Sequence, residues 1–134
     1  MTACYLSIGS NLGDRRKYIK TAIKKIKSLK DTRFLKVSRI IETEPVGGPS
    51  GQGRFLNACL KIDTKLSPLA LLNKLKIIEK QLGRKDTVRW GARTMDLDIL
   101  FYGNRIIKQK KLTIPHKRIF KRDFVLRPLS EIIW

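Results

Sequence analysis

The order in which strand-like and helix-like patterns follow one another constrains the fold most strongly. Residues 3–8 form a short apolar run that ends at Gly9, which is typical of a buried strand. Apolar residues then recur at helical spacing over residues 14–29, with lysines on the opposite face. A second strand is predicted over residues 34–42, where the apolar positions do not alternate cleanly and the register is left undefined.

The second half of the chain repeats this strand and helix order. Residues 55–62 are predicted to form a strand whose side chains alternate between two faces, with the polar Asn57 inside it. Ser67 is a favoured N-cap residue, and the apolar spacing behind it predicts a helix that stops at Gly83. A fourth strand is predicted over residues 95–102.

Four strands and two helices in the order β-α-β-β-α-β predict an α+β fold. This is the ferredoxin-like pattern, in which an antiparallel sheet carries both helices on one face. The turn residues Gly103-Asn104 predict a hairpin in the C-terminal part, accompanied by short helices. With 134 residues, the chain is expected to form a single domain over residues 1–134. The long loops at residues 44–53 and 84–94 are candidates for function.

The composition limits the classes of function. No apolar stretch approaches the ~20 residues of a membrane helix, and no signal peptide is evident. We therefore expect a cytoplasmic protein with no membrane association. Cys4 and Cys59 lie in apolar runs, so they are predicted to be buried free thiols. The formal net charge of +19 fits either a solvated lysine-rich surface or a field that attracts phosphate-bearing ligands.

Asp96 and Asp98 are the central candidate functional residues. Residues i and i+2 of a strand point to the same face, so the two carboxylates are expected to lie side by side. Adjacent carboxylates repel each other unless a cation compensates their charge. Magnesium is usually held by one or two carboxylates together with substrate phosphates, so the pair predicts a magnesium site. The alternative is two solvent-facing aspartates on an edge strand.

The segment before these aspartates is basic. Residues 84–94 contain three arginines and a lysine, and arginine can bind phosphate bidentately. Trp90 lies within the same segment. On an exposed loop it would cover a planar ligand, and the alternative is that it packs into the core.

Three other polar residues occupy unusual positions. Glu79 falls near the apolar face of the second helix, so it needs a partner, either an arginine of the next loop or a ligand group. Asn57 either reads the edge of a heterocycle or lies exposed on its strand. His116 follows Pro115 beside a basic cluster, where like charge favours a neutral, hydrogen-bonding imidazole.

Together these residues resemble the 6-hydroxymethyl-7,8-dihydropterin pyrophosphokinase family. The resemblance runs through nearly the whole chain, and its longest block is RWGARTMDLDIL at residues 89–100. Shorter matching segments are residues 8–13, 43–45, 55–58, 83–84 and 112–116.

The resemblance implies a Mg-dependent diphosphotransferase of folate biosynthesis. The hydroxymethyl oxygen of the pterin would attack the β-phosphorus of ATP, and AMP would leave. Two Mg²⁺ ions would bridge the triphosphate, held by Asp96 and Asp98. ATP and the pterin would be the only partners of a monomeric enzyme, with no nucleic acid and no membrane.

The resemblance also assigns roles to individual residues. Arg84 and Arg93 would act with Asp96 and Asp98 in catalysis by binding the migrating phosphates. The residues implied for the pterin are Thr43, Glu44, Val46, Phe55, Asn57 and Phe124. The residues implied for the nucleotide are Glu79, Arg84, Trp90, Arg93, Ile99, Thr113, His116 and Arg122.

Two other functions fit parts of the sequence. A nucleic-acid-binding ferredoxin-like module would account for the charge, but it predicts a pattern of exposed aromatic residues on the sheet that is absent from the sequence. A catalytically inactive member serving as an interaction domain would not need Asp96, Asp98, Arg93, Asn57 and His116, which are all present.

Overall fold

The computed structural model describes residues 1–44, 50–83, 94–117, 119 and 123–133, and all structural statements concern these residues. Within them, ten elements follow one another along the chain. They are β1 (Thr2–Ser10), α1 (Arg15–Lys27), β2 (Thr32–Val37), β3 (Ile41–Thr43), β4 (Phe55–Thr64), α2 (Pro68–Gln81), β5 (Asp96–Tyr102), β6 (Ile107–Lys108), β7 (Thr113–Ile114) and α3 (Asp123–Ser130).

The main sheet has the strand order β2-β4-β1-β5, and β3 also pairs with β4. All four pairings are antiparallel. If β2 and β3 are counted as two halves of one edge strand, the element order is β-α-β-β-α-β. The structure therefore confirms the predicted ferredoxin-like α+β fold.

The predicted second strand, over residues 34–42, is divided in two. Ser38 separates β2 from β3, and its buried hydroxyl accepts the Cys59 backbone N–H at 2.8 Å. The Ser38 N–H in turn donates to the Cys59 carbonyl at 2.9 Å. A side chain thus replaces one backbone acceptor of the ladder at this point. The pairing of the edge with β4 is interrupted at Ser38. It resumes in β3, which pairs with residues 55–57 of β4.

The two long helices begin at the residues that the sequence indicates. The Asp14 carboxylate accepts the Lys17 N–H at 3.2 Å, and the Ser67 hydroxyl accepts the Ala70 N–H at 3.2 Å. Each cap satisfies a backbone donor that the first helical turn leaves unpaired. Both helices cover the same face of the sheet, where apolar side chains of β1, β4 and β5 form the larger core with them. Its fully buried members include Leu6, Ile8, Ile19, Ile26, Leu60, Ile62, Leu71 and Leu75.

The opposite face of the sheet carries a smaller core under α3. Cys59 and Leu100 of the sheet pack there against Val125 and Leu129 of α3. Because side chains alternate along a strand, Asn57 lies on this same face of β4. The α3 end of the molecule is also joined to the β2–β3 junction, since Glu131 accepts the Arg39 backbone N–H at 2.9 Å. This hydrogen bond is the main cause that lowers the pKa of the Glu131 carboxyl.

Both cysteines are buried free thiols, as the sequence predicts. Burial raises the pKa of Cys4 to about 12 and that of Cys59 to about 12. Both thiols therefore stay protonated at neutral pH and are poor nucleophiles in the folded chain.

A C-terminal hairpin is present, but it is not the one that the turn at Gly103-Asn104 predicts. Gly103-Asn104 forms a turn after β5, yet β6 pairs with β7 and forms a separate two-stranded sheet. The hairpin thus lies beside the main sheet, next to the outer edge of β5. None of the helices in the described ranges is both long enough and apolar enough to cross a bilayer.

Candidate active site

Strand register brings the main candidate residues together across three strands. Gly9 of β1 is the Cα partner of Asn57 on β4 and of Asp96 on β5. Ser7, two residues earlier, is the partner of Asp98. Neighbouring strands lie about 4.8 Å apart, so the backbones of Asn57 and Asp96 are roughly 10 Å apart with one glycine between them. The amide and the carboxylates therefore lie at neighbouring positions of the sheet.

Asp96 and Asp98 share one side of β5, as predicted. Both are partly exposed, whereas Leu97 between them is buried in the larger core. Both line an open cleft of about 430 Å³ at the outer edge of the sheet. In the described ranges, no group of three or more acidic, histidine or cysteine side chains forms a closed metal cage. Two carboxylates facing an open cleft instead fit Mg²⁺, which completes its coordination with water and substrate phosphates.

Basic side chains also line the cleft that holds the two carboxylates. His116 Nε2 lies 3.9 Å from Asp98 Oδ1, so this imidazole is close to a carboxylate as well as to the cations that the sequence indicates. The His116 backbone N–H donates to the Leu100 carbonyl at 3.1 Å, which holds the segment against β5. Four lysines line the same cleft: Lys76, Lys110, Lys111 and Lys117. Their charge favours a polyphosphate in the cleft.

Four of the residues predicted to contact the nucleotide line this cleft together: Glu79, Ile99, Thr113 and His116. Sequence reasoning missed the cleft lysines as site residues. The signal was present in residues 108–111, three of which are lysines just before Thr113, but a chain with 30 lysines and arginines offers no contrast.

Glu79 has a structural partner that the sequence did not indicate. Its Oε2 accepts the backbone N–H of Leu97 at 2.8 Å, and the residue is 7% exposed. Leu97 lies between Asp96 and Asp98, on the edge strand of the sheet. The carboxylate of α2 therefore satisfies an edge N–H of β5 and fixes the strand segment that carries both aspartates.

Replacing Glu79 with leucine is expected to lower stability by roughly 1–3 kcal/mol, because the Leu97 N–H loses its buried acceptor. Glu79→Gln keeps an oxygen acceptor of similar reach and should lose much less. Chemical denaturation of both variants measures the difference. Turnover should also fall more in Glu79→Leu than in Glu79→Gln, because this hydrogen bond holds the backbone that carries Asp96 and Asp98. Equal stability of the two variants would show that the hydrogen bond does not fix β5.

The pterin residues predicted on β3 and β4 lie next to one another. The Asn57 amide nitrogen donates to Thr43 Oγ1 at 2.7 Å, and Phe55 is the Cα partner of Thr43. Asn57 is 7% exposed, so it is a buried amide held in one orientation and not an exposed strand residue. Phe124 of α3 is partly buried against the smaller core, on the same face of the sheet.

An ion-pair network surrounds the Glu44 end of this group. Arg54 pairs with Glu44 at 2.7 Å and with Glu42 at 3.4 Å, and Arg15 pairs with Glu42 at 3.0 Å. The hydrogen bond from Arg15 is the main cause that lowers the pKa of the Glu42 carboxyl. The network ties the start of α1 to β3 and to the start of β4.

The predictions for Val46, Arg84, Trp90, Arg93 and Arg122 fall outside the described residues. They therefore remain predictions, and the site geometry rests on the other residues.

Comparison with known proteins decides the family. The sequence model of the 7,8-dihydro-6-hydroxymethylpterin-pyrophosphokinase (HPPK) family matches residues 5–134. The chain belongs to this family. It is therefore a pyrophosphokinase of folate biosynthesis that transfers a pyrophosphoryl group from ATP to the hydroxymethyl group of 6-hydroxymethyl-7,8-dihydropterin and releases AMP.

Individual relatives agree with this assignment. The chain is 45% identical over 132 residues to the 2-amino-4-hydroxy-6-hydroxymethyldihydropteridine pyrophosphokinase of Haemophilus influenzae, covering 98% of this chain and 82% of the relative. It is 44% identical to the Aquifex aeolicus protein of the same name, covering 98% and 81%. It is also 44% identical to the bifunctional protein FolKE of Lactococcus lactis, covering 99% of this chain but 38% of that protein.

Solved structures support the fold of this HPPK chain. A crystal structure of an HPPK-DHPS in complex with substrates superposes with a TM-score of 0.72 at 16% identity. The match covers 98% of the present chain and 40% of the solved one. The HPPK-DHPS of Plasmodium falciparum gives a TM-score of 0.71 at 15% identity, covering 99% and 40%.

Proposed function

We propose that the cleft beside β5 binds ATP with Mg²⁺, and that the neighbouring Asn57 group binds the pterin. The observation that carries this proposal is the shared register at Gly9, which pairs with Asn57 on one side and with Asp96 on the other. The two reacting substrates would thus meet over the C-terminal end of β1, at Gly9.

The lysines of the cleft would attract and hold the triphosphate, whose charge otherwise repels Asp96 and Asp98. Two Mg²⁺ ions held by these carboxylates would, when bound, neutralise charge on the phosphate oxygens. His116, close to Asp98, would donate to a phosphate oxygen beside this carboxylate. The two aspartates would thus determine where the β-phosphorus lies relative to β1.

Asn57 would hold the pterin by its polar edge, with Phe55 and Phe124 supplying aromatic surface. The hydroxymethyl oxygen then forms a bond to the β-phosphorus as the bond to the α–β bridging oxygen breaks. AMP leaves with that oxygen, and the hydroxyl proton is released. Positioning and charge neutralisation are the main demands of such a transfer, so no protein nucleophile is needed.

The segments outside the described residues complete this proposal. Arg84, Arg93 and Arg122 would bind phosphate groups, Trp90 would cover the nucleotide, and Val46 would contact the pterin through its backbone. We further propose that residues 1–134 act as one monomeric domain. A cytoplasmic location is part of the same proposal, and the two buried free thiols fit it. Asp96 and Asp98 face the cleft where a nucleic-acid phosphate would have to bind, which disfavours the nucleic-acid alternative.

Product analysis tests the proposal. With ATP, pterin and Mg²⁺, we expect AMP and the pterin pyrophosphate in equal amounts and no ADP. A chelator should abolish the reaction, and added Mg²⁺ should restore it. Omission of the pterin is the control for hydrolysis of ATP by water. Turnover that persists in the chelator would contradict the metal assignment, and formation of ADP would contradict pyrophosphoryl transfer.

A further inference from the structure

Gly9 occupies a position where backbone conformation does not require glycine. The described glycines with positive φ are Gly13, Gly51, Gly83 and Gly103, and Gly9 is not among them. It lies one residue from the end of β1 and still pairs with both β4 and β5, where any residue can adopt the extended backbone. A glycine in a strand interior weakens the strand, and often marks a place where another group must approach closely.

The group that approaches Gly9 is the Asn57 amide. A Cβ atom built on Gly9 would lie 2.9 Å from Asn57 Oδ1, which is closer than such atoms come in real structures. The same Cβ would lie 3.5 Å from Phe55 Cδ1 and 3.6 Å from the Leu56 carbonyl oxygen. The Asn57 oxygen thus fills the volume that a side chain at position 9 would need.

Asn57 cannot move out of this volume without losing a hydrogen bond. Its amide nitrogen donates to Thr43 Oγ1 at 2.7 Å, which fixes the direction of the oxygen over Gly9. A methyl group at position 9 would push the oxygen away, and the amide would have to rotate or leave Thr43. The backbone would survive this change, because the displaced atom belongs to a side chain.

We propose that Gly9 is a positioning residue for the pterin, resting on the proposed function of the Asn57 group. Its missing side chain leaves the Asn57 amide in the orientation that reads the pterin edge. It also leaves open the space above Gly9, between Asn57 and Asp96, through which the hydroxymethyl group would reach the triphosphate. Gly9 therefore acts through Asn57 and through the space it leaves, and it does not act on the reacting atoms themselves.

Gly9→Ala tests this role by steady-state kinetics with each substrate varied in turn. We expect the KM for the pterin to rise about tenfold or more and kcat to fall, since a displacement of about 1 Å in a positioned reactant can cost up to about a hundredfold in rate. The KM for ATP should stay within about twofold, because the cleft beside β5 is unaltered. Equal increases in both KM values would overturn the proposal.

Gly103→Ala is the matched control. A Cβ built on Gly103 would lie 2.9 Å from Thr2 Cγ2, as close as the contact at Gly9 but at the opposite end of β1. This variant should lose stability, because φ at Gly103 is 53°, and should keep both KM values within about twofold. A pterin KM that rises as much in Gly103→Ala as in Gly9→Ala would attribute the effect to general loss of packing and would overturn the proposal.

Combining Gly9→Ala with Asn57→Ala separates the proposal from the assignment of Asn57 itself. If the methyl acts by displacing the amide, Gly9→Ala should have almost no further effect on pterin affinity once Asn57 is alanine. Additive losses would overturn the role of Gly9 while leaving the pterin site intact. An Asn57→Ala variant with unchanged pterin affinity would instead overturn the proposed pterin site. If Gly9→Ala alone does not fold, the double variant should fold, and its failure to do so would also overturn the proposal.

Discussion

Asp96→Asn and Asp98→Asn are each expected to lower turnover of ATP and pterin by about a hundredfold to a thousandfold, the usual effect of removing one preorganised electrostatic contact. The physical reason, on the proposed metal site, is the charge of the triphosphate, which Mg²⁺ held by the two carboxylates would neutralise. Asparagine keeps the size and one oxygen of aspartate, so the loss reports charge and not shape. Turnover at saturating substrate, measured across a range of Mg²⁺ concentrations, checks the effect.

Stability is expected to change little by comparison. Removing one of two neighbouring carboxylates relieves their mutual repulsion and also weakens their attraction to the cleft lysines and His116, so the two effects on the melting temperature oppose each other. Asp63→Asn is the matched control, because Asp63 also lies on a strand of the sheet but pairs with Arg33 at 2.9 Å, far along β4 from the site. Wild-type turnover in either Asp96→Asn or Asp98→Asn would remove the basis of the metal site.

The parts of the site that the sequence predicts correctly depend on local geometry. Alternation along a strand is a property of the backbone alone, so it places Asp96 with Asp98 and sets Asn57 apart from the buried Leu56. Helix caps are equally local, and both Asp14 and Ser67 cap the helices where expected.

The parts that the sequence does not predict depend on partners far along the chain. The break in the second strand requires Ser38 to accept a hydrogen bond from Cys59, 21 residues away. Glu79 accepts the Leu97 N–H of the neighbouring strand, 18 residues away, a partner that the sequence does not indicate. No periodic pattern records such contacts.

The surroundings of His116 illustrate the same limit. Its neighbours in the sequence are cations, which favour a neutral imidazole. Folding adds the carboxylate of Asp98 at 3.9 Å, from a strand that comes earlier in the chain. The charges around this imidazole therefore depend on tertiary structure. The local sequence shows the neighbouring cations but not the carboxylate.

Asn57→Ala is expected to weaken pterin binding by roughly a hundredfold, which corresponds to two or three hydrogen bonds at about 1 kcal/mol each. The buried amide offers both donors and an acceptor to a heterocycle, and alanine offers neither. Binding of the pterin measured by calorimetry in the presence of a non-hydrolysable ATP analogue checks this value. ATP affinity should stay within about twofold, because Asn57 lies across β1 from the cleft.

Thr43→Val distinguishes reading of the pterin from support of the amide. Valine keeps the shape of threonine and removes only the oxygen that accepts the Asn57 amide N–H at 2.7 Å. The amide then remains available to the pterin but is less well oriented, so we expect a loss of about tenfold, the value of one net hydrogen bond. If Thr43→Val weakened pterin binding as much as Asn57→Ala does, the hydroxyl itself would be the group that reads the pterin, and Asn57 would serve to orient it.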